Sequence, residues 1–313
     1  MKIKVLFLKK KHIIYFLLFI AVLVTFTIIK KHKTVSSFNI INTKRVLKKD
    51  LTGDGQKDSV DISISNHKYN INIKSKNNNH ELLDNKSDKF IGDSNKFWPL
   101  NLNFIDISRD KVPEIFIQCS KYKLPAQYVY FWENNKFTKL YSSNNNILGI
   151  IDYNNNKTPK VISGNLKNNK IFYDSFIFIE NKLKRFDYNF QESFMGSNTI
   201  LNLIDYIHGL PTTEENRPKD IFDKSMKENS FESIGTLCSK NNIYTFEDGS
   251  FKDIKTDNNG NITEVQWDLN FKGISKADNN SDDIGNYNLS VFLKLDNNSD
   301  ETYKFKIYSI KLN

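Results

Sequence analysis

Asp50-Leu51-Thr52-Gly53-Asp54-Gly55-Gln56-Lys57-Asp58, running on into Ser59-Val60-Asp61-Ile62-Ser63-Ile64, is the stretch from which the fold is read. Acidic side chains stand at its positions 1, 5 and 9, a hydroxyl at 3 and a glycine at 6. That spacing suits an oxygen-ligated calcium loop, because Ca²⁺ takes about six to eight hard oxygen ligands and alternate residues of a tight loop can turn inward to it. Gly55 permits the sharp turn with positive φ. Asp50, Thr52, Asp54 and Asp58 offer side-chain oxygens, and Gln56 its backbone carbonyl. The other reading is a metal-free Asp/Gly turn, since such residues favour turns unaided. Crowded carboxylates repel one another unless a cation lies among them, which favours calcium.

The residues after the loop decide between kinds of calcium loop. Asp61 falls at the twelfth position, where helix-flanked loops place a ligand, but those loops need a helix next. Val60, Ile62 and Ile64 alternate with polar residues instead, the period of a half-buried strand. The pattern then recurs as Phe104-Ile105-Asp106-Ile107-Ser108-Arg109-Asp110-Lys111-Val112-Pro113-Glu114 and as Ile150-Ile151-Asp152-Tyr153-Asn154-Asn155-Asn156-Lys157-Thr158-Pro159-Lys160, at spacings of 56 and 46 residues. The second copy has Lys111 in place of glycine and keeps Asp106, Ser108, Asp110 and Glu114 as a weaker ligand set; whether it holds metal stays open. The third has Lys157 and Lys160 in place of the glycine and the last acid, and is expected to be metal-free, with Lys160 neutralising Asp152.

A loop of this kind entering a strand, repeated at such spacing, resembles the FG-GAP/VCBS repeat family, as in integrin α-chain propellers and many bacterial surface proteins. The resemblance implies one four-stranded blade per repeat, hence a mainly β domain over 38–190. Closed propellers normally have at least about four blades, so a partial or irregular β-propeller of about three blades is expected.

Near the N-terminus, residues 13–29 are uncharged (IIYFLLFIAVLVTFTII) and lie between Lys9–Lys11 and Lys30–Lys33. As a helix they span about 25 Å, and snorkelling lysines can make up the rest of a hydrocarbon core of about 30 Å. The shorter, more basic tail 1–12 is expected inside, which sends the chain from 30 onward outside the cytoplasm, with 30–37 as a linker. Signal cleavage near Ser37 is the alternative, against which the intervening lysines count.

The same segment explains the charge. Of the formal net +9, residues 1–33 carry +8, leaving about +1 for the remainder. A near-neutral ectodomain lacks the phosphate-neutralising groups that nucleic-acid binding needs. Cys119 and Cys238 are the only cysteines, enough for at most one bridge and for no Cys-rich zinc site. The abundance of Asn, Lys and Ile reads as coding bias.

Beyond a break near 191–199 the period changes. Ile200, Leu203, Ile204 and Ile207 predict a helix capped by Ser197 or Asn198 and stopped at Gly209-Leu210-Pro211, and Ile221, Phe222 and Met226 predict a second helix after Pro218. Strands are expected next over 243–247, 251–256, 262–271, 287–295 and 302–312, with a hairpin turn at Asp257–Gly260. This makes 197–313 an α+β domain whose element order is similar to nuclear-transport-factor-like (cystatin-like) domains.

No esterase elbow, zinc-protease, phosphate-loop or dinucleotide motif occurs, and His67, His80 and His208 show no catalytic spacing. Trp98, Trp132 and Trp267 lie within apolar strand patterns and are expected in the core. The expected function is therefore non-enzymatic: a membrane-anchored, calcium-binding, extracytoplasmic protein that meets an envelope protein or glycan. The alternative is a cell-wall polysaccharide hydrolase or lyase with unplaced carboxylates.

Overall fold

Val60 and Ile62 turn inward from a strand that begins at Asp58, so the loop 50–58 does lead into β-structure. The computed structural model describes Lys11 and residues 47–313, except 77, 86–87, 153–156, 189, 191–192, 213–215, 227, 277–283 and 300. The span expected at 13–29 lies outside the described residues. Among them, no helix is long and apolar enough to cross a membrane. Met1–Ser36 and Ser37–Asn313 form separate units, and the described sheets and packed helices belong to the second.

Three antiparallel meanders succeed one another. The first is β1 (Leu47–Lys49), β2 (Asp58–Ser65), β3 (Lys68–Ser75) and β4 (Asn78–Leu82). A two-residue strand, β5 (Gly92–Asp93), pairs with β3 and with the next meander. That second meander is β6 (Asn101–Ile105), β7 (Glu114–Lys121), β8 (Leu124–Glu133) and β9 (Lys136–Ser143), completing a nine-stranded sheet. The third is β10 (Ile147–Ile151), β11 (Lys160–Lys167), β12 (Lys170–Ile179) and β13 (Lys182–Arg185).

Asparagine explains how the meanders turn. Asn66-His67, Asn134-Asn135, Asn168-Asn169 and Glu180-Asn181 each place both central residues at positive φ between paired strands. This is the two-residue hairpin geometry that matches strand twist, and Asn tolerates it better than most residues. Asparagine here has a structural use that a reading of coding bias overlooks.

The third meander does not end a domain. β10 pairs in parallel with β14 (Asn242–Thr256), which continues through β15 (Ile262–Ser275), β16 (Ile284–Leu295) and β17 (Phe305–Leu312) in one eight-stranded sheet. The boundary expected at 190–197 is thus crossed by backbone pairing. Strands expected separately at 243–247 and 251–256 form the single strand β14, bulged between Phe246 and Asp248 where the register slips. Among the described residues neither sheet closes on itself: β1 and β9 end the first, β13 and β17 the second.

Side-chain alternation stacks these pieces in layers. Val60, Ile62, Ile71 and Ile73 pack against Ile115, Ile117, Tyr128 and Tyr130. On the other side of the second meander, Phe116 and Val129 meet Leu148, Ile150 and Val161 of the third. Ile147 and Ile162, facing away, join Phe251, Trp267 and Val291 beneath two helices. Helix α1 (Ser197–His208) buries Ile200, Leu203, Ile204 and Ile207, the stripe expected of it. Its N-cap is Gly196 at φ 78° and not Ser197 or Asn198, and the position needs glycine, since a Cβ there would stand 2.6 Å from Leu293 Cδ2.

The second helix, α2 (Glu228–Ser239), begins later than expected and packs through Ile234 and Leu237. Ile221 and Phe222 are extended instead: the Ile307 N–H donates to Ile221 O at 2.8 Å and the Asp223 N–H to Ile307 O at 2.8 Å. Asp223 then accepts from the Ser225 N–H at 2.7 Å and pairs with Lys294 at 3.0 Å, which holds a turn before the helix.

Trp98 and Trp267 are buried as expected, and Trp132 is half-buried against His80 and Phe137. Cys119 is buried and Cys238 half-buried, and both are free thiols, so the single disulfide that the sequence allowed is not made.

Two predictions come from this packing. Gly149 lies opposite Phe251, and a Cβ on it would collide with the ring. Gly149→Ala should cost about 1–3 kcal/mol by overpacking, read from urea melts, and Phe251→Leu in the same chain should restore part of the loss. Trp98 Nε1 donates to Asp248 Oδ2 at 2.6 Å, and burial pushes that carboxyl up to about 7. The native state then keeps a proton that the unfolded chain releases, so stability should fall as pH climbs from the ordinary carboxylate range through about 7. Asp248→Asn, which preserves an acceptor for the indole, should flatten that part of the profile.

Candidate functional site

Each repeated loop joins the first two strands of its meander: 50–57 between β1 and β2, 106–113 between β6 and β7, 152–159 between β10 and β11. The first two loops share one hydrogen-bond scheme. Asp50 accepts from the N–H groups of Gly53 and Gly55 at 2.8 and 2.9 Å, and Asp106 from those of Arg109 and Lys111 at 2.7 and 3.0 Å. The fifth-position carboxylate accepts from the seventh N–H: Gln56 to Asp54 Oδ1 and Val112 to Asp110 Oδ1, both at 2.8 Å. The ninth-position acid reaches back to the second N–H, from Leu51 to Asp58 Oδ2 at 2.7 Å and from Ile107 to Glu114 Oε2 at 2.8 Å.

Backbone conformation obeys the scheme. Positions 4 and 6 both have positive φ: Gly53 and Gly55 at 73° and 82°, Arg109 and Lys111 at 67° and 74°. Glycine at position 6 is therefore not obligatory, since Lys111 adopts the same region at some conformational cost. Gly53 does need to be glycine, because a Cβ there would stand 2.6 Å from Val112 Cγ2 of the second loop. The two loops accordingly lie side by side.

Of the third loop, Asn154 and Asn156 lie outside the described residues. Asp152 still accepts from the sixth-position N–H, that of Lys157, at 2.6 Å. Its own φ is 59°, which neither Asp50 nor Asp106 shares. Lys160 has no carboxylate, so it cannot supply the ninth-position acceptor that Asp58 and Glu114 supply.

The carboxylates differ in setting. Asp54 is exposed, and the Gln56 N–H, together with the Lys76 ammonium at 3.0 Å, holds its carboxyl below the usual range. Asp58 is buried and also accepts from the Thr52 hydroxyl at 3.3 Å. Glu114 is buried too, and desolvation pushes it up to about 7 against the pull of its hydrogen bonds. Among the described residues no group of three His, Cys, Asp or Glu side chains gathers at one point. The structure brings Asp50, Thr52, Asp54, Gln56 and Asp58 into one turn, with Asp54 on its exposed side and Asp58 on its core side. Lys76, the partner of Asp54, has no local signal in the sequence.

The histidines stand elsewhere. His67 lies in a hairpin turn, and His80 packs edge-on against Trp132. His208 Nε2 accepts from the Phe246 N–H at 3.1 Å and burial lowers its pKa, so it is held neutral rather than as a cation favoured by the helix end.

A cavity of about 470 Å³ adjoins the third loop, lined by Asp152, Lys157 and Lys160, by Tyr188, Phe194 and Met195, and by the β14–β15 turn. No family model matches the chain, and no curated protein matches it.

The brace at the base of the second loop is testable without metal. Glu114→Ala should leave the buried Ile107 N–H without an acceptor and lower unfolding free energy by about 1–3 kcal/mol, whereas Glu114→Gln should lose less than about 1 kcal/mol. Equal losses in urea melts would show that the brace is not what position 9 supplies.

Proposed function

We propose that this chain is a membrane-anchored extracytoplasmic protein, N-terminus inside and bulk outside, whose repeats resemble FG-GAP/VCBS blades. In this reading it binds calcium, catalyses no reaction, and presents its surface to an envelope protein or glycan. The observation that carries the reading is the identical hydrogen-bond scheme in two loops at the same place in successive four-stranded meanders. A chance Asp/Gly turn has no reason to recur with its first, fifth and ninth positions in the same roles. The side-by-side seating of the two loops further supports successive blades stacked as in a partial propeller. Two helices on one face of β14–β17 support the likeness to nuclear-transport-factor-like domains.

The donor set fits a hard cation in kind. Asp50 spends one lone pair of each oxygen on backbone N–H groups and keeps others, since an ionised carboxylate offers about four acceptor sites. Thr52 and the Gln56 carbonyl add neutral oxygens, and Asp106, Ser108, Asp110 and Glu114 offer the corresponding set in the second loop. Asp54 must exchange the Lys76 ammonium for the ion. Calcium, when bound, would supply the positive charge that draws these oxygens inward. Extracytoplasmic calcium is abundant enough to fill even a weak site of this kind.

Melting of the full-length protein in detergent, monitored during Ca²⁺ titration, tests the reading. Stabilisation of about 2.7 kcal/mol is expected at a hundredfold excess over Kd, seen as a rise of several degrees in Tm. Asp54→Ala should abolish most of the rise. The absence of any rise, or a rise unchanged in that variant, would sink the assignment.

A further inference from the structure

Three lysines that the calcium reading leaves unused line the cavity beside the third loop: Lys157 from the loop, Lys160 from the first position of β11, and Lys304 from just before β17. The first two occupy the positions that hold Gly55 and Asp58 in the first loop. The third loop has therefore exchanged a glycine and one oxygen donor for two ammonium groups at the place where a cavity opens. Lys157 lies over the β14–β15 turn, so close that its Nζ occupies the space a Cβ on Gly260 would take.

The rest of the lining narrows what such a site accepts. Tyr188, 43% exposed, is fixed by ring contacts to Phe190 at 5.0 Å and Phe194 at 5.6 Å, and so presents a rigid aromatic face. Asp152, Asp253 and Asn261 line the same cavity and add acceptors and an amide. A simple apolar anion has no use for acceptors, whereas a polyhydroxylated one uses both kinds of partner. The wall also continues: a second cavity of about 110 Å³ shares Tyr188 and brings Arg185 with its ion-pair partner Asp174 and with Asp187, and a third of about 260 Å³ shares Tyr173 and Phe190 with it and brings Lys170. The main cavity lies within the size range of ordinary ligand pockets, about 300–1,000 Å³.

We infer that this groove binds an acidic oligosaccharide, with one carboxylate- or phosphate-bearing sugar held among Lys157, Lys160 and Lys304 and a neighbouring sugar face against Tyr188. The inference deepens the reading of an envelope-facing binding protein by naming the class of ligand, and it rests on that reading for its setting but not on calcium. The cations would recognise the acidic group, and the aromatic wall the apolar face of the ring.

Isothermal titration of the full-length protein in detergent tests this with four probes: an oligogalacturonate, a phosphorylated oligosaccharide, a neutral oligosaccharide of equal length, and an oligoglutamate peptide. Saturable binding of either acidic polyol, absent for the neutral sugar and weakened by salt, is expected, and which one binds tells carboxylate from phosphate. The double variant Lys160→Gln, Lys304→Gln should weaken it about tenfold, as should Tyr188→Ala, while each variant melts within a few degrees of the parent. A variant that fails to melt cooperatively is replaced by Lys160→Glu alone, which must weaken binding at least as much. Binding of neither acidic polyol, equal binding of the neutral sugar, tighter binding of the peptide, or indifference to these variants would overturn the inference. A normal calcium shift without sugar binding overturns this inference alone, and sugar binding without a calcium shift overturns the calcium reading alone.

Discussion

The parallel pairing of β10 with β14 is the joint on which the architecture depends. Parallel neighbours cannot be joined by a tight turn, so a long crossover must separate them. Here that crossover contains β11–β13 and both helices, which gives the helices a place to lie over the sheet. Gly149 makes the joint close: with no side chain of its own, it lets the Phe251 ring lie across the strand, in contact with Trp267 at 4.6 Å and Tyr173 at 6.2 Å. The third repeat is thereby both the last of one series and the first half of the next sheet.

That double role leaves one face of β14–β16 to be covered by repeats rather than by helices, and its composition differs accordingly. Ser250 and Lys252 pair with Leu148 and Ile150 of β10 and share their face, on which Asp248, Gln266, Asp268 and Ser290 are also buried. Buried polar groups destabilise unless they find partners. Asp268 accepts from Gln266 Nε2 and from the Ser290 hydroxyl, Asp248 from Trp98, and Gln118 Nε2 donates to the Gly249 carbonyl. Burial lowers the Lys252 ammonium to about 8, opposed by the nearby Asp268. Directional bonds of this kind tolerate few registers, whereas an apolar interface would tolerate several. The layer therefore fixes how the segment around Trp98 meets the sheet.

Local periodicity made the strands after each loop, the Asn134-Asn135 turn and α1 legible, because each depends on residues a few positions apart. The strand β2 is predictable from Val60 and Ile62 alone. What escaped was non-local. Trp98 and Asp248 are 150 residues apart, and neither has a neighbour that announces the other. Ile221, Phe222 and Met226 mimic a helical stripe, yet the edge of β17 offers backbone partners that outweigh the weak propensity of so short a segment. Phe231, Ile234, Leu237 and Cys238 carried the true stripe, diluted by polar and small residues. In the candidate loop, residue types and spacing were legible, but their division into exposed Asp54 and buried Asp58 was not, since it depends on which face of the turn meets the core.

Position 9 shows how one loop design diverges. A carboxylate there closes the loop by accepting the second N–H, and its burial results from that reach, as Asp58 and Glu114 illustrate. A lysine has donors only and cannot make this bond. Lys160, which stands at the base of the third loop, lines the adjoining cavity instead. The first position survives the change, since Asp152 still accepts from the Lys157 N–H. One residue change at position 9 thus withdraws the acceptor there and adds a cation to the lining of a pocket.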